Sequence, residues 1–149
     1  MKHILTLFTA TLMVAGALLL SACAAGRNGI GFTEARNYFV QRGATVPSDL
    51  KITTQADFDR CFGEAAVMGK NGQPTPIDFS RSFAIAKVLP ESDRNPQISH
   101  VSLQRGGYHE LVLHYVVSCG PQRTYTVQPF ILLIVDRKYK DWAISELKH

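Results

Sequence analysis

The chain has 149 residues, a formal net charge of +4 and three cysteines. That length fits one compact domain and not two. Its basic residues are scattered (Arg27, Arg36, Arg42, Lys51, Arg60, Lys70 and Arg81 among them), so no basic stripe tracks a phosphate backbone and nucleic acid is excluded as a partner.

In chain order, the first element is an apolar run. Lys2 gives a positive start, and Ile4 to Leu20 carries no charge. Seventeen residues of helix span about 25 Å, the low edge of a membrane crossing. Positive end, apolar core and small residues together form an export signal; the alternative is a permanent anchor. Ser21, Ala22, Ala24, Ala25 and Gly26 favour cleavage, because a peptidase needs slim side chains near the scissile bond. LSAC, ending at Cys23, resembles the lipobox of bacterial lipoproteins. That resemblance implies a diacylglyceryl group on the Cys23 thiol, cleavage after residue 22, and usually acylation of the new amine, so that palmitate-like chains hold the protein on a membrane. Two or three acyl chains anchor stably where one does not. Ala24 follows the cysteine where an aspartate would stand in an inner-membrane pattern, so the expected address is the bacterial cell envelope, at the outer membrane.

The cysteine count agrees. An odd thiol in an exported chain needs a reason, and lipidation of Cys23 leaves Cys61 and Cys119 as a pair. A disulfide between them is expected outside the cytoplasm. It would close a loop of about 59 residues, worth roughly 4 kcal/mol in the chain-entropy model. The alternative is two separate buried thiols.

Residues 23–31 read as a lipid-anchored tether, small and without periodicity, and residues 32–149 as a single domain. GRNGIG within the tether lacks the strand and βαβ context of a dinucleotide fingerprint. Asn37–Gln41 favours a strand by its aromatic and β-branched content. Pro47 and Ser48 mark a turn. The clearest helix follows: Thr54 caps it, Asp57 is a shortened capping-box partner, and Phe58, Cys61, Phe62 and Ala65 form one apolar face. Pro74 and Pro76 keep the next connector extended.

Strands then dominate. Phe83, Ile85 and Lys87 alternate with Ala84, Ala86 and Val88. Ile98, His100 and Ser102 alternate with Ser99, Val101 and Leu103. Leu111, Leu113, Tyr115 and Val117 share a side opposite Val112, His114, Val116 and Ser118. Pro129 belongs at a strand start, an edge or a bulge, and WAISEL closes the domain. The expected fold is α+β, a largely antiparallel sheet of four to six strands packed on one main helix; a small open barrel is the alternative.

The chemistry-bearing residues form no recognised site. In HELVLH, His109 and His114 are five apart, which suits neither a zinc-peptidase helix nor one face of a strand. His100 lies on another strand. There is no G-x-S-x-G elbow and no C-x-x-C, and Asp57 and Asp59 do not face each other. The carboxylates Asp78, Glu91, Asp93, Glu110, Asp136, Asp141 and Glu146 cannot be paired from spacing. No catalytic, cofactor or metal residue is assigned. One ordered pattern stands out: Phe58 in the helix, Ile77-Asp78-Phe79-Ser80 before a strand, and Pro129-Phe130 entering a late one. It resembles the C-terminal domain of PrcB-like protease-complex lipoproteins and small uncharacterised lipoproteins of the Bacteroidetes. The resemblance spans roughly residues 52–139, supplies no catalytic residue, and implies at most association with an envelope protease. The leading expectation is therefore a lipid-anchored, non-catalytic binding or interaction module with an envelope protein partner. A protease-associated or protease-inhibiting subunit and an unrecognised envelope hydrolase are the alternatives.

Overall fold

The computed structural model describes residues 28–69 and 71–149. The export signal and Cys23 lie outside the described residues. The fold is α+β, with antiparallel pairing dominant and one main helix. Among the described residues, no helix is long and apolar enough to cross a membrane.

The strands form three sheets, not one. The central sheet has the order β1-β8-β5-β3, from β1 (Phe32–Glu34), β3 (Lys51–Ile52), β5 (Ser82–Val88) and β8 (Phe130–Asp136). A second sheet has the order β6-β7-β9, from β6 (Gln97–Arg105), β7 (Glu110–Ser118) and β9 (Ala143–Lys148). The third is a two-stranded ribbon of β2 (Tyr38–Val40) and β4 (Phe62–Glu64).

Strand β5 shows why the layers stack as they do. Its side chains alternate between faces. Phe83 and Ile85 join Leu103, Leu111, Leu113, Ile131, Leu133 and Val135 in a core between the two larger sheets. Ala84 and Ala86 face the other way, with Ile52, Leu132, Phe58 and Phe62. Small residues on that face let the helix α1 (Gln55–Cys61) and the ribbon sit close against the sheet. Phe58 stacks on Phe62 with ring centroids 5.3 Å apart and meets Tyr38 edge-on at 5.2 Å.

Helix α1 begins where the sequence places it. Thr54 Oγ1 accepts from the Asp57 N–H at 3.1 Å and donates to the Asp57 carboxylate at 2.6 Å. It ends sooner than the apolar periodicity indicates. At Phe62 the backbone becomes extended, and the chain enters β4 opposite Val40. Gly63 explains the switch. The Phe39 ring lies so close that a Cβ at residue 63 would stand 2.4 Å from its Cζ.

Three further differences from expectation have physical causes. The alternation in β6 breaks at a register shift between Ser99 and Ser102, where His100 has φ 52°. This bulge adds one residue, so Ile98, Val101 and Leu103 all pack on the same core. Strand β9 runs parallel to β7, Glu110 opposite Ala143 through Tyr115 opposite Lys148. Residues 28–31 are not free tether: Ile30 is buried, and its N–H donates to Leu103 O at 2.8 Å. Residues 28–34 thus cross from β6 to β8 and close one side of the sandwich. The opposite side, between β3 and β9, has no backbone pairing. The described residues form a barrel-like sandwich with an open seam between β3 and β9. Pro129 precedes the first residue of β8, a strand start, where its missing N–H costs no ladder bond.

Candidate functional site

Side chains bridge the open seam at two points. At one end, Lys51 of β3 donates through Nζ to Trp142 O at 3.1 Å and Lys140 O at 3.4 Å, just before β9. At the other end, Lys87 Nζ lies 2.7 Å from Glu146 Oε1, and the Tyr115 hydroxyl donates to Glu146 Oε2 at 2.9 Å.

Each member of this second group continues an apolar stripe. Lys87 follows Phe83 and Ile85 on β5, Tyr115 follows Leu111 and Leu113 on β7, and Glu146 follows Ile144 on β9. With a period of two, the pleat turns all three toward the core's rim. Burial pushes the Tyr115 phenol up to about 12, with the bond to Glu146 and that carboxylate's charge adding to it. Partial burial works against ionising Glu146. The bonds from Lys87 and Tyr115 and the Lys87 charge outweigh it, and the carboxyl titrates below its ordinary range.

A cleft of about 400 Å³ opens beside this triad. Val46, Pro47, Leu50 and Leu89 give it apolar patches, while Thr45, Ser48, Lys87, Gln128 and Glu146 line it with polar groups. Leu50 has φ 61°, a left-handed conformation uncommon for a bulky side chain. Two backbone bonds impose it: Leu50 N–H to Pro47 O, and Ala86 N–H to Leu50 O, each 2.9 Å. Backbone held in such a region concentrates at binding and catalytic sites.

Two other hollows are less apt. A groove of about 710 Å³ runs past Asp78, Arg81 and Asp136. Asp78 is occupied by the Ser80 N–H at 2.9 Å and hydroxyl at 2.6 Å, and Asp136 accepts from Lys138 N at 2.9 Å. Those bonds make a turn and a cap, not a ligand set. A hollow of about 430 Å³ lies over Cys61. That thiol is pushed up by burial, which keeps it a poor nucleophile.

The expected Cys61–Cys119 disulfide is not formed. Both residues are free thiols. Cys61 is buried in the helix-side cluster, its Sγ 3.6 Å from Thr45 O, while Cys119 is exposed beyond the end of β7. They belong to different layers, which a count of thiols cannot reveal. His109 and His114 diverge: His114 lies in β7, whereas His109 is in the turn before it, at φ 52°. His109 stacks on Trp142 at 5.3 Å, and His114 Nδ1 lies 3.2 Å from His149 Nε2. His100 sits in the β6 bulge beside Ser99. Among the described residues, no group of three or more His, Cys, Asp or Glu is placed to hold a metal ion.

The sequence held one signal for the triad that spacing arguments overlooked. Lys87 and Glu146 each interrupt a core-facing stripe, and a charge in such a position needs a partner. No protein-family model, curated protein or solved structure matches the chain.

Proposed function

We propose that the protein is a non-catalytic binding module of the bacterial cell envelope, anchored at the outer membrane by lipid on Cys23, which takes a segment of an envelope protein in the distal seam cleft. The observation that carries this reading is the Lys87–Glu146 pair, held from behind by Tyr115, on the wall of a cleft of mixed polar and apolar lining beside the β9 edge. An extended peptide can lay an apolar side chain against Val46, Leu50 and Leu89 while its polar groups exchange with the Lys87–Glu146 pair. Edge strands are the usual templates for such additions. A protease-associated role is one form of the same reading, and it rests on the resemblance alone.

The test is a photocrosslinking residue at Gln128, on the cleft wall, with a control at exposed Met68, in cells producing the full chain. A discrete adduct from position 128 that is lost with Lys87→Ala/Glu146→Ala supports the reading. The same adducts from both positions, or none from 128, oppose it. In parallel, Cys23→Ala abolishes lipid labelling if the anchor is correct; persistent labelling removes it.

A further inference from the structure

The first described residue after the anchor cysteine, Asn28, is fixed on the domain. Asn28 O accepts from Arg105 N at 2.8 Å, at the end of β6. Four residues lie between Cys23 and Asn28, so five Cα steps join them, and a chain extends at most about 3.6 Å per step. The Cα of a lipidated Cys23 is therefore within about 18 Å of Asn28, whatever path the intervening residues take. The part of the domain around Arg105 is held near the lipid headgroups.

That part has an unusual surface. The β6–β7 hairpin tip presents Tyr108, 91% exposed. Its ring stacks on His109 with centroids 4.0 Å apart, His109 stacks on Trp142 at 5.3 Å, and Trp142 meets Tyr139 edge-on at 4.9 Å. The Arg105 guanidinium lies over Trp142 at 5.2 Å, and the Lys138 ammonium over Tyr139 at 5.0 Å. The tip is fixed in shape. Gly106 N–H donates to Glu110 O and Gly107 N–H to the Glu110 carboxylate, both at 3.0 Å. His109 is held at φ 52°. The stack thus holds Tyr108 outward although the domain itself covers little of it.

Tyrosine and tryptophan side chains with an apolar body and a polar edge favour the membrane–water interface. Cationic side chains beside them meet lipid phosphates. Asp136 lies 3.6 Å from Lys138, and Asp141 lies 2.7 Å from Lys140. The tip's net charge is accordingly small, and aromatic insertion, not charge, is its main contribution.

We propose that the hairpin tip, led by Tyr108 and Trp142, docks into the headgroup layer of the membrane that holds Cys23 and turns the distal seam cleft away from it. The inference rests on the lipid anchor of the proposed function, and the experiment separates the two. Trp142 is the chain's one tryptophan and reports the tip directly. Mature protein extracted from membranes is reconstituted into phosphatidylethanolamine vesicles, with or without phosphatidylglycerol, containing lipids brominated near the headgroup. Co-flotation reads the anchor, and quenching of Trp142 fluorescence reads docking. Docking gives quenching in both lipid mixtures, reduced at least twofold in Tyr108→Ser with flotation and thermal unfolding unchanged. Flotation without quenching overturns the docking and leaves the anchor. Loss of flotation overturns both. A Trp142 spectral shift on addition of soluble glycan fragments, without quenching by lipid, assigns the stack to a sugar and likewise overturns the proposal.

Discussion

The two ends of the open seam are bridged by lysines that do different jobs. Lys51, at the tip end, donates to two backbone carbonyls, neutral acceptors with no titration of their own. Lys87, at the distal end, meets a carboxylate that also receives a phenol. The tip end is a latch onto backbone carbonyls, with Asp49 3.9 Å from the same ammonium and stacked aromatics around it. The distal end is a charged group set in an apolar rim, beside a backbone held at φ 61° at Leu50. The same geometric problem, an unpaired sheet edge, is met by structure at one end and by exchangeable polar groups at the other. On the proposed reading, the second is the end that exchanges its partners with a ligand while the latch holds.

The contrast can be broken at both ends together by removing the core between them. Leu113, fully buried on β7, loses about 2–5 kcal/mol on change to Ala, read by chemical denaturation, with both ends weakened. Breaking the latch alone is milder. Lys51→Met leaves the Trp142 and Lys140 carbonyls without their donor and costs about 1–3 kcal/mol. It also increases amide exchange across residues 140–144, while position 128 still crosslinks.

The distal end yields less stability and more pH dependence. Lys87 and Glu146 are partly solvated, so Glu146→Gln costs about 0.5–1 kcal/mol after screening. Its signature is the pH profile. Glu146 is held below its ordinary 4.5, so its contribution is present above the unfolded value and lost as pH falls through the folded one. Tyr115 is raised from 10.0 to about 12; its contribution is present below pH 10.0 and lost as pH rises through about 12. Glu146→Gln lessens the acid slope, which Asp57, Asp78, Glu110 and Asp141 also feed; Tyr115→Phe lessens the alkaline slope, which Tyr38 also feeds; and Lys51→Met changes the acid slope less than Glu146→Gln and leaves the alkaline one in place. A pH titration of unfolding free energy on the three variants decides this. Smallest of all, Tyr108→Ser changes stability by no more than about 0.5 kcal/mol, because an exposed ring has little native packing to lose.

Much of the frame was legible in the residues. The large–small alternation of β5, the Thr54 cap and the strand start after Pro129 are local patterns, and each appears where it was read. The end of α1 was not, because Phe62 and Ala65 keep a helical period while the fit of Gly63 under Phe39 is a tertiary demand. The His100 bulge reversed the phase of β6 with no turn residue to announce it. The parallel β7–β9 pairing depends on a connection that passes through β8 in another sheet. The Cys61–Cys119 pairing came from counting thiols, and counting carries no distance. The seam escaped for a related reason. Glu146 is 59 residues from Lys87 and 31 from Tyr115, and only folding brings them together. The interruption of an apolar stripe by Lys87 and by Glu146 was the local signal present, and it was not read.

The most direct measurement is hydrogen exchange on the full-length protein, compared between native envelope fractions and the purified, partner-free form. If the distal seam takes a protein segment, protection in the envelope rises at residues 44–50 and 87–89, and this rise disappears in Lys87→Ala/Glu146→Ala while residues 140–144 at the latch are unchanged. Equal exchange at residues 44–50 and 87–89 in the two preparations, or protection there that survives the double substitution, contradicts a ligand-taking seam.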